Sequence, residues 1–165
     1  MIVFGGRPGT GKTTLAMQVT RALSATYLRI DVIETALSDA SSEQVYSVAV
    51  AVATSNLAIG KSVVVDGLNA VEASRSAWRG VTAERGCHLV EIELTCSDAS
   101  EHQRRVEARV ADIAGHSVPN WSAVKAIAFE PMTGQVLAVD TAAIGPYAAV
   151  ENIDDYVMTI AGGRR

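Results

Sequence analysis

The chain predicts an α/β fold: one doubly wound sheet of five parallel strands. Three observations carry this expectation. Short apolar runs alternate with segments of helical periodicity along all 165 residues. The octapeptide Gly6-Arg7-Pro8-Gly9-Thr10-Gly11-Lys12-Thr13 fits G-x-x-x-x-G-K-[ST] directly after the first apolar run, where a phosphate-binding loop has to stand. Asp31 and Asp66 close two further apolar runs. Strands alternating with helices give a parallel sheet covered on both faces. With no linker, repeat or low-complexity stretch, residues 1–165 read as a single domain.

The elements follow in order. Met1–Phe4 is an apolar strand, and Leu15, Ala16, Val19, Ala22 and Leu23 recur at helical spacing within a helix from Lys12 to Ser24. Thr26–Ile30 is a short strand and Val32–Leu37 a short helix. Ser41 with Gln44 forms a capping box for a helix that runs to Ile59 and stops at Gly60. Ser62–Val65 is a buried strand. Asn69 with Glu72 has the pattern of a cap for a helix to about Arg85, stopped by Gly86. His88–Thr95 is the fourth strand, and Asp98 with Glu101 caps a helix to about Asp112. Residues 114–120 are irregular, Trp121–Ala128 is a short helix and Gln135–Val139 the last strand. Ala148–Ile160 closes the fold as a helix, with a frayed end from Gly162 to Arg165.

The loop at the N-terminus defines the chemistry. Its glycines let backbone N–H groups curl around phosphate, and the following helix adds partial positive charge. Gly6, Pro8, Gly9, Thr10, Gly11, Lys12, Thr13 and Thr14 are the nucleotide-binding candidates. Lys12 is placed to reach the β- and γ-phosphates, and the Thr13 hydroxyl to ligate Mg²⁺. A lysine at a helix start is disfavoured by the dipole unless an anion is present, which argues against an empty turn. The rival dinucleotide fingerprint finds two glycines in Gly9 and Gly11 and an acid in Asp31. Its third glycine is Thr14, however, and it has no use for Lys12 or Thr13.

Composition narrows the partners. Hydrophobic residues are 48% and charged residues 19% of the chain, which marks a globular protein rather than a disordered one. The net charge of −4 argues against broad attraction to extended nucleic acid. Cys87 and Cys96 have neither metal nor redox spacing, and reduced thiols fit a cytoplasmic protein. The first apolar run has no charged leader and is too short for a signal peptide, and no stretch is long enough to cross a membrane.

Two acids stand where open parallel sheets bind ligands. Asp66, after Val63-Val64-Val65, has the shape of a Walker B carboxylate that holds Mg²⁺, or else caps a turn with Gly67. Asp31 is placed to take a proton from an attacking hydroxyl, or else to start a helix with Glu34. Asn69 is a helix cap or a substrate ligand, and Arg75 a clamp for an anionic substrate or a surface residue. Arg105 and Arg109, four apart on one helical face, can supply positive charge around a moving phosphoryl group, or pair with Glu101 and Asp112. Arg104 is the weakest of the three arginines. His102 reads as solvated, His116 as part of the irregular lid, and Trp78 and Trp121 as core.

With the loop, both acids and the arginine helix in place, the chain resembles a small P-loop kinase. It is similar to the zeta toxin, chloramphenicol phosphotransferase, adenylylsulfate kinase and polynucleotide-kinase-like group. Within that group it is most like predicted kinases of AAA-type ATP-binding character. These carry GxPGxGKTT (Gly6–Thr14), L-R-I-D before I-E-x-A-L (Leu28–Asp31, Ile33–Leu37) and V-V-x-D-x-x-N (Val64–Asn69). The resemblance implies a nucleoside-kinase-like sheet of order 2-3-1-4-5, with Asp31 as base. It places Arg105 against adenine or phosphates and Arg109 on the γ-phosphate, and sets Thr141 and Ala142 beside the adenine.

The activity expected is Mg²⁺·ATP-dependent transfer of the γ-phosphate to a hydroxyl of a small molecule. Lys12, Asp31 and Arg109 would be catalytic, and Thr13 and Asp66 would hold the metal. Asp31, Asp66, Asn69 and Arg75 would face the substrate. The alternatives are a polynucleotide or nucleoside end kinase and a nucleotide-binding NTPase switch. The short segments at 37–44 and 111–120 lead to the further expectation of little dedicated surface for a large acceptor.

Overall fold

A computed structural model describes residues 1–162. Five strands form one parallel sheet of order β2-β3-β1-β4-β5: β1 (Ile2–Gly5), β2 (Thr26–Arg29), β3 (Val63–Asp66), β4 (Val90–Thr95) and β5 (Val136–Asp140). The helices are α1 (Lys12–Leu23), α2 (Ile30–Leu37), α3 (Ser42–Ala58), α4 (Glu72–Arg85), α5 (Ala99–Glu107), α6 (Trp121–Ala126) and α7 (Pro146–Ile160). Of the expected frayed end, residues 163–165 lie outside the described residues.

Side-chain alternation along β1 shows how the sheet is covered. Ile2 and Phe4 face one layer, with Leu15, Ala16 and Val19 of α1 and Ala149 and Ile153 of α7. Met1 and Val3 face the other, with Val45, Ala49 and Ala53 of α3 and Trp78 of α4. Central strands buried on both faces read as continuous apolar runs, which is why β1 and β3 were visible as unbroken hydrophobic stretches. Each large apolar side chain buried in these layers contributes roughly 1.5–3 kcal/mol.

Parallel register brings the functional edge together. Phe4 pairs with Asp66, and Asp66 with Arg29, so β1, β2 and β3 end in one row. The loop from Gly6 to Gly11 leaves that row and turns into α1. Gly6 and Gly9 hold φ of 141° and 86°. A Cβ on Gly6 would collide with the Leu94 carbonyl oxygen, and one on Gly9 would come within 2.6 Å of Val106. Only glycine fits either place.

Several boundaries differ from expectation for physical reasons. β2 stops at Arg29 and α2 begins at Ile30, so Asp31 lies within the first turn of α2 and makes no cap hydrogen bond. The cap of α4 is the backbone of Val71 rather than Asn69, whose φ of 45° takes it out of line with the helix. Helix α5 ends at Glu107, so Arg109 stands on the irregular segment beyond it. The Asp98 carboxylate caps α5 by accepting from the Ser100 and Glu101 amides, while Glu101 turns to Arg104 and Arg105 instead of closing a capping box. The capping box of Ser41 and Gln44 is formed in full. Helix α7 starts at Pro146, whose fixed φ suits a first turn.

Candidate active site

At the carboxyl edge two cavities meet. The first, about 330 Å³, is lined by Pro8, Gly9, Gly11, Lys12, Thr13 and Thr14 of the loop, together with Arg29, Asp31, Asp66, Arg105, Arg109 and Asp112. The second, about 1040 Å³, lies between α2, α3 and α4. Pro8, Asp31, Leu68 and Arg109 border both.

In the first cleft the Lys12 ammonium donates to the Arg7 carbonyl at 2.9 Å, across the mouth of the loop. Burial pushes its pKa down to about 8, against the pull of Asp66 and Asp31. A desolvated cation beside open backbone amides at a helix start is the chemistry that accepts phosphate. Thr10 is buried, and its hydroxyl donates to the Arg7 carbonyl at 2.8 Å, which fixes the curl of the loop.

Asp66 is buried and receives the Tyr27 hydroxyl on Oδ2 at 2.7 Å. Burial and the Asp66 carboxylate hold the Tyr27 phenol protonated, far above its ordinary range. No cluster of three or more His, Cys, Asp or Glu side chains suited to a metal occurs among the described residues. Thr13 and Asp66 both line the cleft, and their hydroxyl and carboxylate oxygens are of the type that would suit Mg²⁺.

The centre of the site is Arg29, which sequence reasoning passed over. It is buried and forms a fork to Asp112, at 2.6 Å and 2.9 Å. It also lies 3.6 Å from Asp31 and 3.9 Å from Asp66, and its Nε makes no hydrogen bond. The signal was an arginine inside a four-residue strand, since a charge in a buried parallel strand must be partnered. The fork holds the Asp112 carboxyl at about 2, well below its usual range.

Asp31 is partly exposed at the junction of the two cavities. Arg29 and Arg109 each stand 3.6 Å from its Oδ2, and His116 Nε2 stands 3.9 Å away. His116 Nδ1 in turn lies 3.2 Å from the Thr35 hydroxyl. The irregular segment after α5 thus folds back over Asp31, bringing Arg109 and His116 with it.

Arg105 donates to Glu101 and also to the hydroxyl and carbonyl of Thr141. The Thr141 hydroxyl reaches the Thr10 and Thr95 carbonyls at 3.1 Å and 3.0 Å. Arg105 therefore lines the cleft while fastening the β5–α7 turn to the phosphate loop. Arg104 pairs with Glu101 at the surface.

Three expectations are corrected. Asn69 is fully buried: its amide donates to the Phe4 carbonyl at 2.7 Å, and its oxygen accepts from Trp78 Nε1 at 3.0 Å. It is a strut between β1 and α4, does not cap the helix and lines neither cavity. Arg75 is also buried, donating to the carbonyls of Asn69 and Glu130, and lines neither cavity. His102 is buried rather than solvated, with Nε2 at 2.8 Å from the Pro8 carbonyl and its ring edge-on to Trp121. All three side chains are drawn inward by backbone carbonyls that helical spacing does not reveal. Trp78 is core, as expected.

A family model described as an AAA domain matches residues 1–129. No curated protein matches the chain. Among solved structures, a gluconokinase from Sinorhizobium meliloti aligns at 19% identity and a TM-score of 0.67, covering 98% of this chain and 93% of its own. The APS kinase CysC of Mycobacterium tuberculosis, in complex with AMPPNP and APS, aligns at 19% identity and a TM-score of 0.68, over 94% and 96% of the two chains. Kti12 of Chaetomium thermophilum, in complex with ADP-AlF3, aligns at 18% and 0.70, over 94% and 98%. At these identities the likeness is one of fold, and the fold is that of a P-loop kinase-like NTPase.

Proposed function

The chain belongs to the AAA-domain family, and from that premise we propose that it is a Mg²⁺·ATP-dependent phosphotransferase acting on a hydroxyl of a small molecule. The observation that carries this reading is Asp31 on the border between a phosphate cleft and a second, larger cavity. A nucleotide switch needs only the first of these.

The phosphates of ATP enter the cleft on the amides of the loop and the Lys12 ammonium. Thr13 and Asp66 would hold Mg²⁺, which would supply positive charge to the phosphates. The acceptor occupies the larger cavity with its hydroxyl toward Asp31. Asp31 takes the hydroxyl proton as the acceptor oxygen bonds to the γ-phosphorus and the bond to the β–γ bridging oxygen breaks, releasing ADP. Arg109, on the same border, stabilises the charge on the moving phosphoryl group, the role in which arginines are most effective. Arg29 positions both carboxylates, holding Asp31 and Asp66 on either side of one buried guanidinium.

A screen with γ-labelled ATP tests the reading. Apolar alcohols, sugars, nucleosides and a short oligonucleotide are offered, and label is followed from ATP into acceptor. Transfer to at least one small alcohol is expected. Transfer only to the oligonucleotide end would favour the polynucleotide-kinase alternative, and ADP formation with no labelled acceptor would favour the switch.

A further inference from the structure

The second cavity carries information about what it takes. It is about three times the volume of the phosphate cleft. The surface comes from the facing sides of α3 and α4, which loop length does not reveal. Its walls include Val45, Tyr46 and Val50 of α3 and Ala73 and Ala77 of α4. Tyr46 is fixed there: its hydroxyl accepts from the Asn69 backbone N–H at 3.2 Å, and its ring lies 6.1 Å from that of Trp78.

The charged groups are unevenly arranged. Asp31, Glu34 and Glu43 bring three carboxylates to this cavity, against the Arg109 guanidinium and the His116 imidazole, which both stand beside Asp31. Arg109 is already 3.6 Å from Asp31. Glu34 and Glu43 form no ion pair among the described residues. Arg75 of α4 is buried against the carbonyl oxygens of Asn69 and Glu130, beside the Glu72 and Glu130 carboxylates, and does not line the cavity. An anion entering an apolar cavity without a free cation loses its hydration and gains no partner.

Resting on the phosphotransferase reading for the identity of this cavity, we propose that the acceptor is an alcohol with a hydrophobic body and no anionic group. The body lies against Tyr46, Val50 and Ala77, and the hydroxyl points to Asp31. Sugar acids, nucleotides and other anionic alcohols are disfavoured by the carboxylates on the same walls.

A matched pair of probes tests this: para-tolylethanol and para-(hydroxyethyl)benzoate, in which a carboxylate replaces the methyl group. Each is titrated by ligand-observed NMR into the full chain saturated with the ATP analogue AMPPNP. The neutral probe is expected to bind at least about fivefold more tightly, the scale of one or two like charges at a partly exposed site. The double substitution Glu34→Gln, Glu43→Gln should narrow that gap. Ala77→Phe, filling the cavity from α4, should abolish binding of the neutral probe and leave AMPPNP binding unchanged. Equal or tighter binding of the carboxylate, failure of the neutral probe to bind, or neutral binding that survives Ala77→Phe would each overturn the proposal. Binding is read without turnover, so absence of phosphate transfer would sink the phosphotransferase reading alone. Transfer to the carboxylate compound would sink only this one.

Discussion

Buried polar residues divide the site into parts that touch ligand and parts that hold the frame. Asn69 and Asp66 both follow the third apolar run, and both are buried. Asp66 lines the cleft, whereas Asn69 spends both ends of its amide on Phe4 and Trp78. Asn69→Ala leaves a carbonyl and an indole N–H unpaired in the core, which costs about 2–4 kcal/mol. Urea unfolding should show that loss with KM for ATP and acceptor unchanged. A large rise in acceptor KM at near-normal stability would instead make Asn69 a ligand. The sequence could present the V-V-x-D-x-x-N spacing but not this division of labour. Spacing places a side chain on an element and does not tell which carbonyl lies opposite.

Among the elements, the segment after α5 is the informative one. Its tie to the sheet is the fork between Arg29 of β2 and Asp112. Asp112 titrates near 2 in the fold, against an ordinary value of 3.8, because Arg29 donates to it. A carboxylate depressed in this way stabilises the fold above about pH 4, and the contribution is lost as pH falls through about 2. Asp112→Asn should therefore flatten the stability profile between those limits and leave it parallel to wild type at neutral pH, as read by thermal melts across pH. An unchanged acid limb would mean that the fork does not persist in solution. This tie was hidden because periodicity extends α5 to Asp112, whereas the helix ends at Glu107 and the segment after it brings Asp112 back to β2. The strands were easier to read. The apolar runs of β1, β3 and β5, which end at Gly5, Asp66 and Asp140, leave little choice of period or edge.

Across the whole molecule, the donor and acceptor halves have different legibility. The donor half is local: one loop, one lysine and one helix start, contiguous from Gly6 to Thr14. The proposed acceptor half is assembled from α2, α3, α4 and the segment carrying Arg109 and His116, with residues far apart in the chain. Only tertiary packing creates that cavity. The account turns on the two halves meeting at Asp31 with separable roles. The decisive measurement pairs ATP binding with phosphate transfer in two variants, using an acceptor found by the label screen. Lys12→Ala should lose nucleotide-dependent thermal stabilisation. Asp31→Asn should keep it and lower the transfer rate by about 10²–10⁴-fold, the range of a positioned general base. Transfer by Asp31→Asn at the wild-type rate would contradict the account.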